Sequence, residues 1–221
     1  MQIVTDIDRI TTSQSITANE FNPLPTSTVS SAGSIGGSRT LILTGVDNFA
    51  AQDEASLFAS ATSGRFSLNT SETIATFRII WNGANGTAGL GGFQFGSGQS
   101  LDLATSFLSF NVRTSDVLGT PFQWKFTDTQ NRSAFLDGGF PQHTSSQPST
   151  FYNLYLNQFT NGGTIDWNAV NTIEFSGGGQ TAGFDMSIQG PITFTANVPE
   201  PASGMLLMLG GVALLALRRM R

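Results

Sequence analysis

Phe122-Gln123-Trp124-Lys125-Phe126 decides the fold: three large apolar rings alternate with two polar side chains. In an extended chain a period of two puts every ring on one face and both polar groups on the other, whereas a helix would scatter them. The pattern recurs in Leu108-Ser109-Phe110-Asn111-Val112 and Phe184-Asp185-Met186-Ser187-Ile188. Leu41 with Leu43, Phe66 with Leu68, Tyr152 with Leu154 and Leu156, Ile173 with Phe175, and Ile192 with Phe194 repeat it in shorter form. Thr73 to Trp81 is more densely apolar and predicts a central strand. Turn signals separate these runs, among them Asn82-Gly83, Asn85-Gly86, Asp137-Gly138-Gly139 and Asn161-Gly162-Gly163. Eight or more such strands, with no amphipathic helix among them, predict an all-β antiparallel β-sandwich of jelly-roll type.

Outward from that core the chain divides into three parts. Residues 1–38 are rich in Ser, Thr, Asn and Pro and predict mostly loop, with one candidate edge strand. Residues 39–197 are long enough for a single sandwich domain with its own core. Residues 198–221 are of a different kind: Val198-Pro199-Glu200-Pro201, then an uninterrupted apolar run from Met205 to Leu217, then Arg218-Arg219-Met220-Arg221.

Composition narrows the chemistry. The chain has no cysteine, which removes disulfides, thiol nucleophiles and thiolate metal sites. Charged residues make up only 11% and the net charge is −5, with Lys125 the sole lysine. Phosphate neutralisation needs clustered Lys and Arg, so nucleic acid is not an expected partner. His143 is the single histidine and lies in a polar stretch bounded by prolines, so no multi-histidine metal site is available. No Gly-x-Ser-x-Gly elbow or phosphate loop appears. Glycoside hydrolysis needs two facing carboxylates, and the sequence pairs none of Asp102, Asp116, Asp128, Asp137, Asp166, Glu174 and Asp185. The expectation is a non-enzymatic protein without an obligatory cofactor.

The tail has its own physics. Its apolar run shows no polar side chain on any face, so it suits surroundings that are apolar all round. As a C-terminal hydrophobic helix it would be roughly 20 Å long against a hydrocarbon thickness of about 30 Å, a short transmembrane span. Arg218, Arg219 and Arg221 would stay cytoplasmic and make up length by snorkelling, leaving the body outside. Pro199 and Pro201 lack backbone N–H groups and hold Glu200 on a stiff extended segment, well suited to an enzyme's grip.

This order of Val198-Pro199-Glu200-Pro201, Ala202-Ser203, leucine-rich span and terminal arginine cluster resembles the PEP-CTERM sorting signal of exported bacterial proteins. The resemblance implies recognition by a membrane-embedded exosortase, cutting near the Pro-Glu-Pro segment, inner-membrane anchoring before the cut, and cell-surface or extracellular residence after it. Such proteins normally start with a signal peptide, and Met1-Gln2-Ile3-Val4-Thr5-Asp6 shows none, so a leader upstream of this start is expected.

A second resemblance concerns the body. Leu101-Asp102-Leu103, the strand Leu108 to Val112, Tyr155 to Phe159, Asp166-Trp167 and Ala182 to Ile188 resemble the strand order of galactose-binding-like jelly rolls found in carbohydrate-binding modules. The implied ligand is an extracellular polysaccharide. Sugar rings stack on flat apolar faces, which makes Trp81, beside the Asn-Gly loop, and Trp167 candidate platforms. Each competes with a purely packing role at the end of the sandwich. Asp185 is a candidate ligand for a sugar hydroxyl or a structural calcium ion, or else a plain solvent-facing aspartate. The combined expectation is a structural or adhesive protein of the exopolysaccharide matrix, with a carbohydrate-binding module as the alternative and a secreted glycan hydrolase third.

Overall fold

A computed structural model describes residues 1–45, 53–143, 147–179 and 182–199. Among the described residues, thirteen strands form two antiparallel sheets packed face to face. One sheet contains β1 (Gln2–Asp8), β2 (Gln14–Ala18), β5 (Glu54–Ser60), β6 (Arg65–Ser71), β8 (Phe107–Ser115), β11 (Thr150–Tyr155) and β13 (Met186–Asn197). Its order is β11-β8-β13-β6-β5-β2, and β1 also pairs with β13. The other contains β3 (Thr26–Ser30), β4 (Ser38–Gly45), β7 (Ala75–Trp81), β9 (Pro121–Asp128), β10 (Ser133–Gly139) and β12 (Val170–Gly178), in the order β10-β9-β12-β7-β4-β3.

The alternation in β9 does what its period requires: Phe122, Trp124 and Phe126 are buried while Gln123, Lys125 and Thr127 lie on the outer face. β7, expected to be central, is flanked by β12 and β4. Two expected strands, around Met186–Ile188 and Ile192–Phe194, are one long strand, β13. Its first half pairs with β6 and its second half with β1, while β8 lies along the other side. In the interior Trp124 stacks on its cross-strand partner Phe175 at 4.4 Å, and Phe95 stacks on Phe194 at 3.9 Å. Each such fully buried side chain contributes roughly 1.5–3 kcal/mol.

The N-terminal 38 residues depart from expectation. They supply three strands, two in one sheet and one in the other, so the sandwich begins at Gln2 and not near residue 39. The reason lies inside. Asp8 and Arg39 are fully buried and ion-paired at 2.9 Å, with Arg39 also donating to Gln14 Oε1 and to the Thr12 carbonyl. The Asp8 carboxylate further accepts from Ser34 Oγ, Trp81 Nε1 and the Ile10 N–H. A polar-looking segment is thus stapled through the core by a satisfied charge network, which local apolar periodicity does not register. The expected C-terminal helix lies outside the described residues, and no helix among the described residues is long and apolar enough to cross a membrane.

Candidate functional site

Both tryptophans proposed as sugar platforms are core residues. Trp81 is the last inward position of β7 and is fully buried; it stacks on Trp124 and donates Nε1 to Asp8 Oδ2 at 2.8 Å. Trp167 is buried at the end of the sandwich, edge-on to Phe126, with Nε1 donated to the Gly162 carbonyl at 2.9 Å. Neither ring offers a face to solvent, so stacking on them is ruled out by packing. A tryptophan that closes a sandwich must also satisfy its N–H, and both do so internally.

Asp185 is exposed and ties the chain just before β13 to β6 and to Asp116. Its Oδ1 accepts the Thr70 N–H at 2.9 Å, and its backbone N–H donates to Asp116 Oδ1 at 2.8 Å. Partial burial lifts its carboxyl above the ordinary value, the Thr70 bond opposes the rise, and the Asp116 charge adds to it. No group of three or more His, Cys, Asp or Glu side chains gathers as a metal cage among the described residues. His143 joins Ser115 through paired backbone bonds and places Nε2 against Thr150 Oγ1.

Two outer surfaces present polar or aromatic side chains to solvent. On the six-stranded sheet, β7, β9, β10 and β12 form an open groove of about 430 Å³ whose outward side chains include Arg78, Gln123, Asp137 and Ser176. Arg78 makes a two-pronged pair with Glu174, Nε to Oε1 at 2.9 Å and Nη2 to Oε2 at 2.7 Å. That bond raises the guanidinium further against the opposing effect of burial. Gln123 donates to Asp137 at 2.8 Å. The groove therefore offers fixed planar donors and acceptors of the kind that bind hydroxyl groups.

On the seven-stranded sheet, edge strand β11 turns Phe151, Asn153 and Tyr155 outward. Phe151 is 71% exposed, and Tyr155 rests edge-on against Phe107 at 5.6 Å. Asn111 and Ser109 of β8 are the register partners of Phe151 and Asn153 on the same face. These rings were legible in principle. Once Tyr152 and Leu154 are assigned inward, the period of two forces Phe151 and Tyr155 outward.

The third feature is the exit of the chain. β13 ends at Asn197, held on four sides: its N–H donates to Ser106 Oγ at 2.8 Å, its Nδ2 to the Thr105 carbonyl at 2.5 Å, and its carbonyl accepts from the Asp102 N–H at 2.8 Å and from Ser106 Oγ at 3.4 Å. Val198 is buried and exchanges both backbone bonds with Met1, at 2.8 and 2.9 Å. Pro199 is the first exposed residue beyond the fold.

Fold and exit together define a β-sandwich carrying a C-terminal address. Residues 197–221 match the PEP-CTERM protein-sorting motif, which marks an exported, sorted protein. No curated protein sequence matches the chain. Among solved structures, the chain is similar to the family 11 carbohydrate-binding module from Clostridium thermocellum in complex with a β-1,3-1,4-mixed-linked tetrasaccharide, at 9% identity over 86% of this chain and 94% of that one, TM-score 0.42. It is also similar to the family 30 carbohydrate-binding module of a Clostridium thermocellum cellulosomal cellulase, at 12% identity over 85% and 99%, TM-score 0.41. An agarase is matched at 12% identity over 61% of this chain and 21% of that one, TM-score 0.40.

Proposed function

We propose that this chain is a non-enzymatic structural or adhesive component of the cell envelope and exopolysaccharide matrix. It is held in the inner membrane by its apolar tail and released when an exosortase-type enzyme cuts near Val198-Pro199-Glu200-Pro201. The observation that carries this reading is the sorting motif at 197–221 joined without a spacer to β13 of the sandwich. An address fused to a folded, charge-poor body is the arrangement of cargo. Intact mass of the protein from its native cells tests it. The mature species is expected to lack Met205 to Arg221, and Glu200→Ala is expected to leave the tail attached. A native protein that keeps its tail on the cell refutes the reading.

A carbohydrate-binding role is the second reading, favoured by the outward rings of Phe151 and Tyr155 beside Asn153, Asn111 and Ser109. Rings supply the stacking face, and amide and hydroxyl groups at fixed register can orient sugar hydroxyls. Retention of the released protein by immobilised polysaccharide supports it, and uniform absence of retention removes it.

A further inference from the structure

The sorting motif begins at residue 197, yet Asn197 and Val198 belong to the folded body. Pro199 is exposed just beyond it. From Val198 to Met205 is seven residue steps, at most about 25 Å however those residues are arranged. An enzyme in the membrane thus meets the motif within a short reach of the sandwich, with little slack to draw on. Peptidases take their substrates extended, with the substrate backbone bonded to the enzyme, and a strand already paired on its edge cannot make those bonds. Cleavage next to a folded element then follows the fraction of time that element is locally open.

We propose that the processing site extends upstream into the sandwich, so that Asn197 and Val198 must peel away from Met1 and from the 102–106 turn before the motif is gripped and cut. The partner is the membrane-embedded processing enzyme, and the cryptic part of its site is the last two folded residues. The clamp is built for this control. The 102–106 turn is braced internally by Ala104 N–H to Asp102 Oδ1 at 3.0 Å and Ser106 N–H to the Asp102 carbonyl at 2.8 Å. It then holds Asn197 through backbone and side chain together. This inference rests on the reading that the tail is enzymatically removed.

A reversible staple tests it. Because Met1 and Val198 exchange both backbone bonds, the next pair, Gln2 and Asn197, is of the close, non-hydrogen-bonded kind whose Cα separation of about 4.5 Å falls within the range a disulfide spans. The chain has no cysteine of its own, so Gln2→Cys with Asn197→Cys gives one defined bridge. Full-length precursor is incubated with native membranes, with and without a thiol reductant, and the loss of tail is followed by intact mass. The oxidised staple is expected to slow removal at least tenfold, and reduction of the same sample to restore it. A second variant, Ser106→Ala, keeps Asn197 and removes both clamp bonds made by Ser106 Oγ; faster hydrogen exchange at Asn197 and Val198 with several-fold faster processing is expected. Equal processing of oxidised and reduced staple, or faster exchange in Ser106→Ala without faster processing, overturns the inference alone. An unmodified precursor that is never cut overturns both this inference and the reading beneath it.

Discussion

Removing the Asp8 carboxylate is the sharpest test of how the N-terminal segment is held. In Asp8→Ala, Arg39 stays fully buried with its charge unpaired, while Ser34 Oγ–H, Trp81 Nε1–H and the Ile10 N–H lose their acceptor. Breaking a buried pair by deleting one partner costs about 3–5 kcal/mol, and the orphaned donors add to that without summing fully. Against a whole-domain stability of about 5–15 kcal/mol this is severe. At about 2–4 °C per kcal/mol for a domain of this size, a loss of about 4 kcal/mol lowers Tm by roughly 8–16 °C. The double variant Asp8→Ala with Arg39→Met removes the stranded charge and leaves an apolar chain beside Phe66, over which Arg39 now sits at 4.9 Å. It should be at least about 1 kcal/mol more stable than Asp8→Ala alone. Urea denaturation of residues 1–198, followed by tryptophan fluorescence, measures both. A loss below about 1 kcal/mol for Asp8→Ala, or a double variant as unstable as the sum of the singles, refutes the stapling argument.

Other outcomes follow from the same geometry. Burial pushes the Asp128 carboxyl up, but bonds from the N–H groups of Asp166, Arg132 and Gln130 and from the Arg132 side chain outweigh it, and the group lies below the ordinary carboxylate value. A carboxyl depressed by folding stabilises above its unfolded value, near pH 4, and loses that contribution as pH falls through the lower folded value. Asp128→Asn should flatten the acid limb of a stability–pH curve, and an unchanged limb contradicts this. Asp185 is shifted the opposite way, so its charged form opposes folding as pH rises through its folded value. Asp185→Asn retains an acceptor for Thr70 and should leave neutral-pH stability within about 0.5 kcal/mol or slightly raised, by thermal melting. If the β11 face binds glycan, Phe151→Ala or Tyr155→Ala should weaken retention on polysaccharide by roughly tenfold, the equivalent of about 1.4 kcal/mol, with unchanged Tm. Trp81→Phe should instead lower Tm and leave retention of the folded fraction unaltered.

Periodicity was a reliable guide wherever burial is one-sided and the strand local. β4, β6, β8, β9, β11 and β12 carry the expected inward residues. β5 and β10 went unread because Glu-Ala-Ser-Leu-Phe-Ala-Ser and Ser-Ala-Phe-Leu-Asp-Gly-Gly mix small and apolar residues without a clean alternation. The tryptophans were read from their neighbours along the chain, beside Asn-Gly and after Asp166, while their surroundings are made by residues far away: Asp8 lies 73 positions from Trp81.

From its residues alone the chain carries its class and its address. Alternating side chains dictate sheets, and a proline pair, an apolar run and terminal arginines in that order resemble a sorting tail, because both are local properties of consecutive residues. Only the tertiary structure decided that Asp8 and Arg39 meet in the core, that Trp81 and Trp167 are sealed inside it, and that Asn197 and Val198 are locked into the body. Those facts depend on pairings between distant segments, and solvent is excluded by the whole assembly, which no stretch of consecutive residues encodes.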